Sequence, residues 1–305
     1  MSSGLLTAGK IAAAGNCDWP TLLEFDRQGL FPAPGESAEE FAARLTRLAE
    51  AADDLSHKLK THKIYEIVPG IKLENALQIP QSLRSEALDL TCSLYGVKPQ
   101  WVPGFFADES FGALWGGCAL SDGDSGLVLF IIRKLFARKR RWLFYDRREL
   151  MAHEMTHASH QSLNEWQLEE YFAYRTARSP LRRFFGGCFI CKYDAAGFLG
   201  PILLLPLVQL LNLSGIVSLP MIFFWILAAV YPGYLLWRCS LIWHRVNKAR
   251  KFLISQKVKQ PDAVLFRLTY EEVKALGRGI WFNSNDLRTG IIRRRFFSSN
   301  ISGKD

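Results

Sequence analysis

The sequence contains few cysteines for its length, with six among 305 residues, scattered along the chain. This number and spacing exclude a small domain held together by disulfides and favour a reducing compartment. Cys188 and Cys191 form the one CxxC pair, and the second pair that a structural zinc cage needs is missing. The pair is therefore interpreted as packing or interfacial cysteines.

The sequence also lacks two kinds of targeting or binding signal. Its first residues, MSSGLLTAGKIAAAGNC, have no basic start, and Lys10 interrupts their apolar part, so a cleaved signal peptide is not expected. The net charge is +9, yet no pattern of a nucleic-acid-binding module is present. Because the basic residues cluster beside apolar runs, the charge indicates membrane lipid as a partner and no nucleic acid.

Charge is absent from two long apolar stretches, residues 195–213 and 217–237. Each is close to the roughly 20 residues that a helix needs to cross a bilayer. They predict a transmembrane helical hairpin over 195–238, with a buried hairpin of a soluble protein as the alternative. Basic residues flank the hairpin on both sides and are missing from its tip, so the positive-inside rule predicts an integral membrane protein with both termini in the cytoplasm.

The remaining sequence divides into segments that differ in the spacing of their apolar residues. Apolar residues at helical spacing predict one helix over 36–63 and a second over 82–95. From residue 101, short apolar runs separated by glycine-rich turns predict strands, and helical sequence resumes at Asp146. Together these patterns predict an α+β fold, divided into a helical region, a core of strands and helices, the hairpin and a basic cytoplasmic tail, over residues 1–100, 101–180, 195–238 and 239–305.

The motif HEMTH, residues 153–157, is the strongest chemical signal. On a helix, His153 and His157 lie one turn apart on one face and can share a zinc ion, while Glu154 is placed to accept a proton from a zinc-bound water. Asp146 stands three residues before Glu149, a spacing typical of a helix start. The alternative is a polar helix face that happens to be rich in histidine.

A third ligand is needed to complete such a site. His160 lies about 10 Å along the helix from His153, too far to bind the same ion, and is interpreted as a supporting or surface residue. The following segment, NEWQLEEYFAY, predicts a second helix, with Ser162 and Glu165 at its start. Glu169 and Glu170 are the candidate ligands on it, and Glu170 is preferred.

His153, Glu154 and His157, followed by EEYFAY, resemble the gluzincin clan of zinc metallopeptidases, in particular uncharacterised membrane-bound bacterial members. In that clan a second helix supplies a glutamate, often as ExxA, which Glu170 and Ala173 match. The resemblance implies that residues 101–180 form a zincin-like catalytic core with a short mixed sheet. In it, His153, His157 and Glu170 hold Zn²⁺ and Glu154 is the catalytic base for hydrolysis of a peptide or protein substrate.

The resemblance implies further features of the site. Tyr171 or Tyr174 is a candidate donor to the oxyanion, with core packing as the alternative for each. Members of the clan usually bind the substrate as an added strand, and GLVLFIIRKLF is the candidate edge strand, next to a predicted strand WLFY. The run RKRR at 138–141 is interpreted as a solvated turn or a lipid-facing patch.

Three functions remain open from the sequence. The first is a membrane-integrated zinc metalloprotease with its active site in the cytoplasm. The second is a zinc-binding protein without peptidase activity, and the third is a membrane scaffold whose HExxH is not catalytic. Bound metal and the role of Glu154 separate these hypotheses, whereas the hairpin and the charge do not.

Overall fold

The computed structural model describes residues 4–62, 64–68, 71–107, 116–122, 125–191, 193–282 and 285–297. The helices are α1 Ala8–Gly15, α2 Trp19–Arg27, α3 Ala38–His62, α4 Gln81–Tyr95, α5 Arg147–His160, α6 Trp166–Tyr174, α7 Pro180–Gly186, α8 Asp194–Leu213, α9 Met221–Ser255, α10 Pro261–Leu265, α11 Tyr270–Leu276 and α12 Leu287–Phe296. The strands are β1 Ile64–Val68, β2 Ile71–Glu74, β3 Gly104–Ala107, β4 Gly117–Asp122, β5 Leu127–Arg133, β6 Arg141–Trp142 and β7 Tyr145–Asp146. The fold is mixed α/β, with a small sheet and two long apolar helices.

The central sheet has the order β3-β5-β4, with β3 parallel and β4 antiparallel to β5. The expectation that GLVLFIIRKLF forms an edge strand is therefore wrong, because β5 lies in the middle. All seven of its residues are buried, as is typical of a strand covered on both faces. β4 pairs with β5 alone among the described strands and forms the edge. The predicted strand FGALWGGCALS begins at Gly117, and its residues 111–115 lie outside the described part of the chain.

The predicted WLFY strand is also wrong. Its four residues form a tight hairpin in which Trp142 pairs with Tyr145 across a two-residue turn. Leu143, the first residue of that turn, has φ 51°, a left-handed conformation that hairpin turns usually give to glycine or asparagine. The hairpin leads directly into α5.

The helices α5 and α6 follow one another through a short turn. Asp146 caps α5 by accepting a hydrogen bond from the backbone N–H of Arg148 at 3.0 Å, as its position predicts. Asn164, at φ 50°, reverses the chain after α5. The predicted capping box at Ser162 and Glu165 is not formed, since the Glu165 side chain makes no cap hydrogen bond.

Two helices, α8 and α9, are long and apolar enough to cross a membrane. In each, only 11% of the most apolar 18-residue window is buried, which distinguishes them from core helices of a soluble protein. Residues 214–220 connect them, and α9 continues to Ser255, well past the predicted end of the hairpin. At their base, Arg238 forms an ion pair with Asp194 at 2.6 Å.

The C-terminal segment is not a tail, contrary to the prediction. Its helices α10–α12 and the last part of α9 share a core with α6, Phe31 and Tyr95. Arg267, fully buried, donates to Asp26 at 2.7 Å, so one ion pair joins segments 241 residues apart. A second core unites α1–α4 with the central sheet and α5. The predicted boundary at residue 100 therefore does not separate two cores.

Candidate metal centre

The helix α5 presents the two histidines of the HExxH motif toward one point. The Nε2 atoms of His153 and His157 lie 3.1 Å apart, as helical spacing of four residues allows. Both side chains are about five-sixths buried, at 16% and 15% exposure. Two imidazole nitrogens facing each other at this distance repel unless a cation or a proton lies between them.

The helix α6 adds a carboxylate to the same point. Glu170 places one oxygen 3.8 Å from Nε2 of His153 and the other 3.7 Å from Nε2 of His157. His153, His157 and Glu170 thus offer ligand atoms that all lie within 4.8 Å of one another, and the group could hold a metal ion. Ala173 is fully buried beneath it, and its small side chain permits the close approach of α5 and α6.

The donor set fits zinc by distance and by chemistry. Ligand atoms about 2.05 Å from a tetrahedral zinc lie about 3.3 Å apart. The two Nε2 atoms are 3.1 Å apart, close to that value, and the nearest Glu170 oxygen to each of them is slightly farther, at 3.8 and 3.7 Å. Two imidazoles and one carboxylate leave a fourth position open, which is the pattern of catalytic rather than structural zinc sites.

The opposite edge of each imidazole is also held. Nδ1 of His157 lies 2.8 Å from a carboxylate oxygen of Glu169. The ring of His153 is hydrogen-bonded to the backbone carbonyl of Ala173. Such contacts fix the tautomer in which Nε2 carries a free lone pair for a metal. Glu169 and Glu170, the two candidates for the third ligand, thus occupy different places: Glu170 faces the point shared by the Nε2 atoms, and Glu169 lies behind His157.

The electrostatics of the group favour one positive charge at this point. Burial alone would lower the pKa of His157, but the Glu169 hydrogen bond and the charges of Glu170 and Glu154 raise it to about 9. Burial and the neighbouring charge on His157 hold the pKa of His153 well below its usual value. The pair of rings therefore accommodates a single cation, supported by several carboxylates.

Glu154 lies on the side of α5 that faces the sheet. It is 5% exposed and accepts a hydrogen bond from the backbone N–H of Ala119 on β4. Burial raises the pKa of Glu154 to about 7, which suits a group that both accepts and releases protons near neutrality. Its carboxylate, the histidines, Glu169, Glu170 and β4 line one cleft of about 360 Å³.

The two tyrosines proposed as oxyanion donors differ in position. Tyr174 packs edge-on against the ring of His153, with centroids 4.7 Å apart, and so lies beside the group. Tyr171 does not, because its hydroxyl accepts a hydrogen bond from Arg250 at 3.0 Å and its ring packs against Trp243. The prediction that Tyr171 could donate to the oxyanion is therefore wrong. Sequence reasoning missed Tyr145, a residue of β7 whose electrostatic interactions include both Glu154 and Tyr174.

His160 is neither a ligand nor a surface residue. It is 1% exposed, lies between the rings of Phe172 and Phe266, and has no hydrogen-bond partner for either nitrogen among the described residues. Burial lowers its pKa to about 4, so the ring is neutral at physiological pH. Its role is to fill the core behind α6.

The CxxC cysteines do not form a pair. Cys188 is buried with Cys239 of α9, and both thiols lie against the carbonyl of Phe184, whereas Cys191 is exposed.

Comparison of the chain with protein-family models, with characterised proteins and with solved structures gave no significant match. The site is therefore interpreted from its own geometry.

Proposed function

We propose that this chain is a membrane-integrated zinc metalloprotease that hydrolyses peptide bonds in the cleft between β4 and α5. The observation that carries the proposal is the convergence of His153, His157 and Glu170 from two helices, with the buried Glu154 beside them. The resemblance of the motif to gluzincin peptidases points to the same activity.

Zinc held by His153, His157 and Glu170 would acidify a water molecule and polarise the scissile carbonyl. Glu154 accepts the proton of the attacking water and delivers it to the leaving amine. The hydrogen bond from the Ala119 N–H and the surrounding apolar packing hold its carboxyl at one place during both transfers. Tyr174, beside His153, is the candidate donor to the oxygen of the scissile carbonyl.

The edge strand β4 supports a peptide as the substrate. Gly117, Cys118, Ala119 and Ser121 of this strand line the cleft on the side opposite the ligand group. Since β4 pairs with β5 alone among the described strands, its outer edge presents backbone groups to an extended peptide, apart from the Ala119 N–H, which donates to Glu154. A peptide added there would lie in the cleft that Glu154 and the three candidate ligands also line.

The proposal includes insertion of α8 and α9 in a membrane, with both termini and the cleft in the cytoplasm. Basic side chains lie on both flanks of the hairpin, and its tip between the helices has none. A protease-cleavable tag after residue 305 tests the orientation, because it should resist protease added to intact cells. Its removal from outside would overturn the topology.

Glu154→Gln tests the hydrolytic role. Gln keeps the size and the hydrogen bond to Ala119 but cannot accept a proton, so cleavage should fall about 10²- to 10⁴-fold with zinc content unchanged. The purified full-length protein is incubated with a mixed peptide library, and new termini are counted by mass spectrometry. If wild type holds zinc but generates no new termini, the zinc-binding non-peptidase is the better interpretation.

A further inference from the structure

The turn of the β6–β7 hairpin exposes two large apolar residues. Leu143 and Phe144 are 61% and 56% exposed, whereas Trp142 and Tyr145 of the same hairpin pack against the core. The left-handed backbone at Leu143 costs about 1 kcal/mol relative to a glycine at the same place. Exposing a leucine and a phenylalanine to water at the tip of a strained turn is energetically unfavourable.

The run RKRR precedes this turn directly. Arg138, Lys139, Arg140 and Arg141 are all exposed, and only the last two form ion pairs with Asp146, at 3.4 and 3.2 Å. Basic residues beside an exposed apolar tip are typical of a segment that inserts between acyl chains while its cations contact anionic headgroups.

Contacts with α7 fix the level of the turn relative to the membrane helices. Arg182 of α7 donates to the carbonyl of Phe144 at 3.0 Å. On the same helix, the carbonyl of Phe184 accepts from Cys239 of α9 at 3.3 Å, and its ring packs against Trp243. The turn is therefore tied, through one short helix, to a defined part of α9.

That part of α9 corresponds to the headgroup layer. The uncharged stretch of α9 ends at Trp237, and Cys239 and Trp243 lie about 3 and 9 Å farther along the helix. The headgroup region extends about 5–8 Å beyond the hydrocarbon on each side of a bilayer, so Cys239 falls within it and Trp243 at its outer limit. Leu181 and Phe185, on the same short helix as Phe184, are 68% and 50% exposed.

We propose that Leu143, Phe144, Leu181 and Phe185 form a lipid-binding surface, here called the interfacial surface, that docks the soluble part of the protein on anionic phospholipids. Arg138 and Lys139 supply its contacts with headgroup phosphates. The surface lies one residue layer from the metal group, because the ring of Tyr174 rests on Gly186 of α7 and packs on His153. The inference rests on the membrane insertion of α8 and α9, which is part of the proposed function.

Photo-crosslinking in nanodiscs tests the proposal on the full-length chain. The photoreactive amino acid p-benzoylphenylalanine replaces Phe144, and the protein is reconstituted with phosphatidylcholine alone or with phosphatidylglycerol added. After irradiation, lipid adducts are measured by intact mass. Trp166 is the matched control position, because it is an exposed aromatic at the other end of α6 from Tyr174, about 12 Å along the helix. A probe at Leu227, in the apolar part of α9, reports on insertion.

The expected result is lipid adducts at positions 144 and 227 and at most one-tenth as many at position 166. Adding phosphatidylglycerol should raise the yield at 144 several-fold, and the double substitution Arg138→Glu and Lys139→Glu should remove that increase. Adducts at 227 with none at 144, or a crosslinked dimer in place of lipid adducts at 144, would overturn the interfacial surface and leave the proposed function intact. Absence of adducts at 227 would overturn both the insertion and the interfacial surface.

Discussion

Glu169 holds His157 from behind, with its carboxylate oxygen 2.8 Å from Nδ1 of the ring, while Nε2 faces the metal-binding point. Adjacent glutamates of α6 thus serve one histidine in two ways, because Glu170 faces the same point as Nε2. A carboxylate in this position orients the ring and increases its basicity as a ligand.

The contact predicts that Glu169→Gln weakens zinc binding without abolishing it. We expect a loss of affinity of about 10- to 100-fold, since the ring loses a charged partner and retains its packing. Competition with a fluorescent zinc chelator measures this change. Glu165→Gln on the same turn-to-helix segment is the control and should bind zinc as wild type does. Equal affinities for the Glu169 variant and wild type would contradict the supporting role.

Gly186 is the point at which α7 meets the site. A Cβ atom at this position would lie 2.1–2.4 Å from the ring of Tyr174, which in turn packs on His153. Gly186→Ala should therefore push the ring or the helix aside and lower the free energy of unfolding by about 1–3 kcal/mol. Thermal unfolding in detergent measures the change.

A second glycine provides the control for that substitution. Gly9 lies within α1 and has open space around its Cα, so Gly9→Ala should be neutral or stabilising. Similar losses of stability in both variants would indicate that the contact between Gly186 and Tyr174 is unimportant.

Because His160 is buried as a neutral ring, we expect the protein to lose stability in mild acid. The pKa of His160 is about 4 in the folded protein and about 6.5 in the unfolded protein. Between these values the unfolded state binds a proton that the folded state does not bind. The cost grows as the pH falls from 6.5 to 4, where it reaches about 3 kcal/mol, and is absent above pH 7. Folded carboxylates add their own acid dependence, so the variant is needed to isolate this one.

His160→Leu removes the titrating group and its two unsatisfied nitrogens from the pocket between Phe172 and Phe266. The melting temperatures of variant and wild type, followed from pH 7.5 to 4.5, should diverge steadily in favour of the variant. Parallel curves over this range would show that the ring is not buried as a neutral group.

Features that depend on neighbouring residues were predictable from the sequence. Asp146 begins α5, and the long uncharged stretches form α8 and most of the apolar part of α9. The histidines of HExxH converge because helical spacing alone brings them together. Local spacing was not sufficient to decide between Glu169 and Glu170 as the third ligand, since that choice depends on how α6 is rotated against α5.

Features that depend on distant contacts were not predictable in this way. Asp26 and Arg267 form a buried pair across 241 residues, and no local pattern marks the C-terminal segment as part of the core. The central position of β5 had a signal that was missed, namely an unbroken apolar run instead of alternation. Tyr145 lies beside the site because a two-residue turn at Leu143 reverses the chain, and leucine is rarely found in that conformation.

Metal analysis of the detergent-purified full-length protein is the decisive experiment on the three-ligand centre, with His157→Ala and Glu170→Ala beside wild type. We expect about one zinc per chain in wild type and loss of most of it in both variants, with unchanged helical content by circular dichroism. Wild-type protein that remains free of zinc after reconstitution, or a Glu170→Ala variant that retains its zinc fully, would contradict the three-ligand centre.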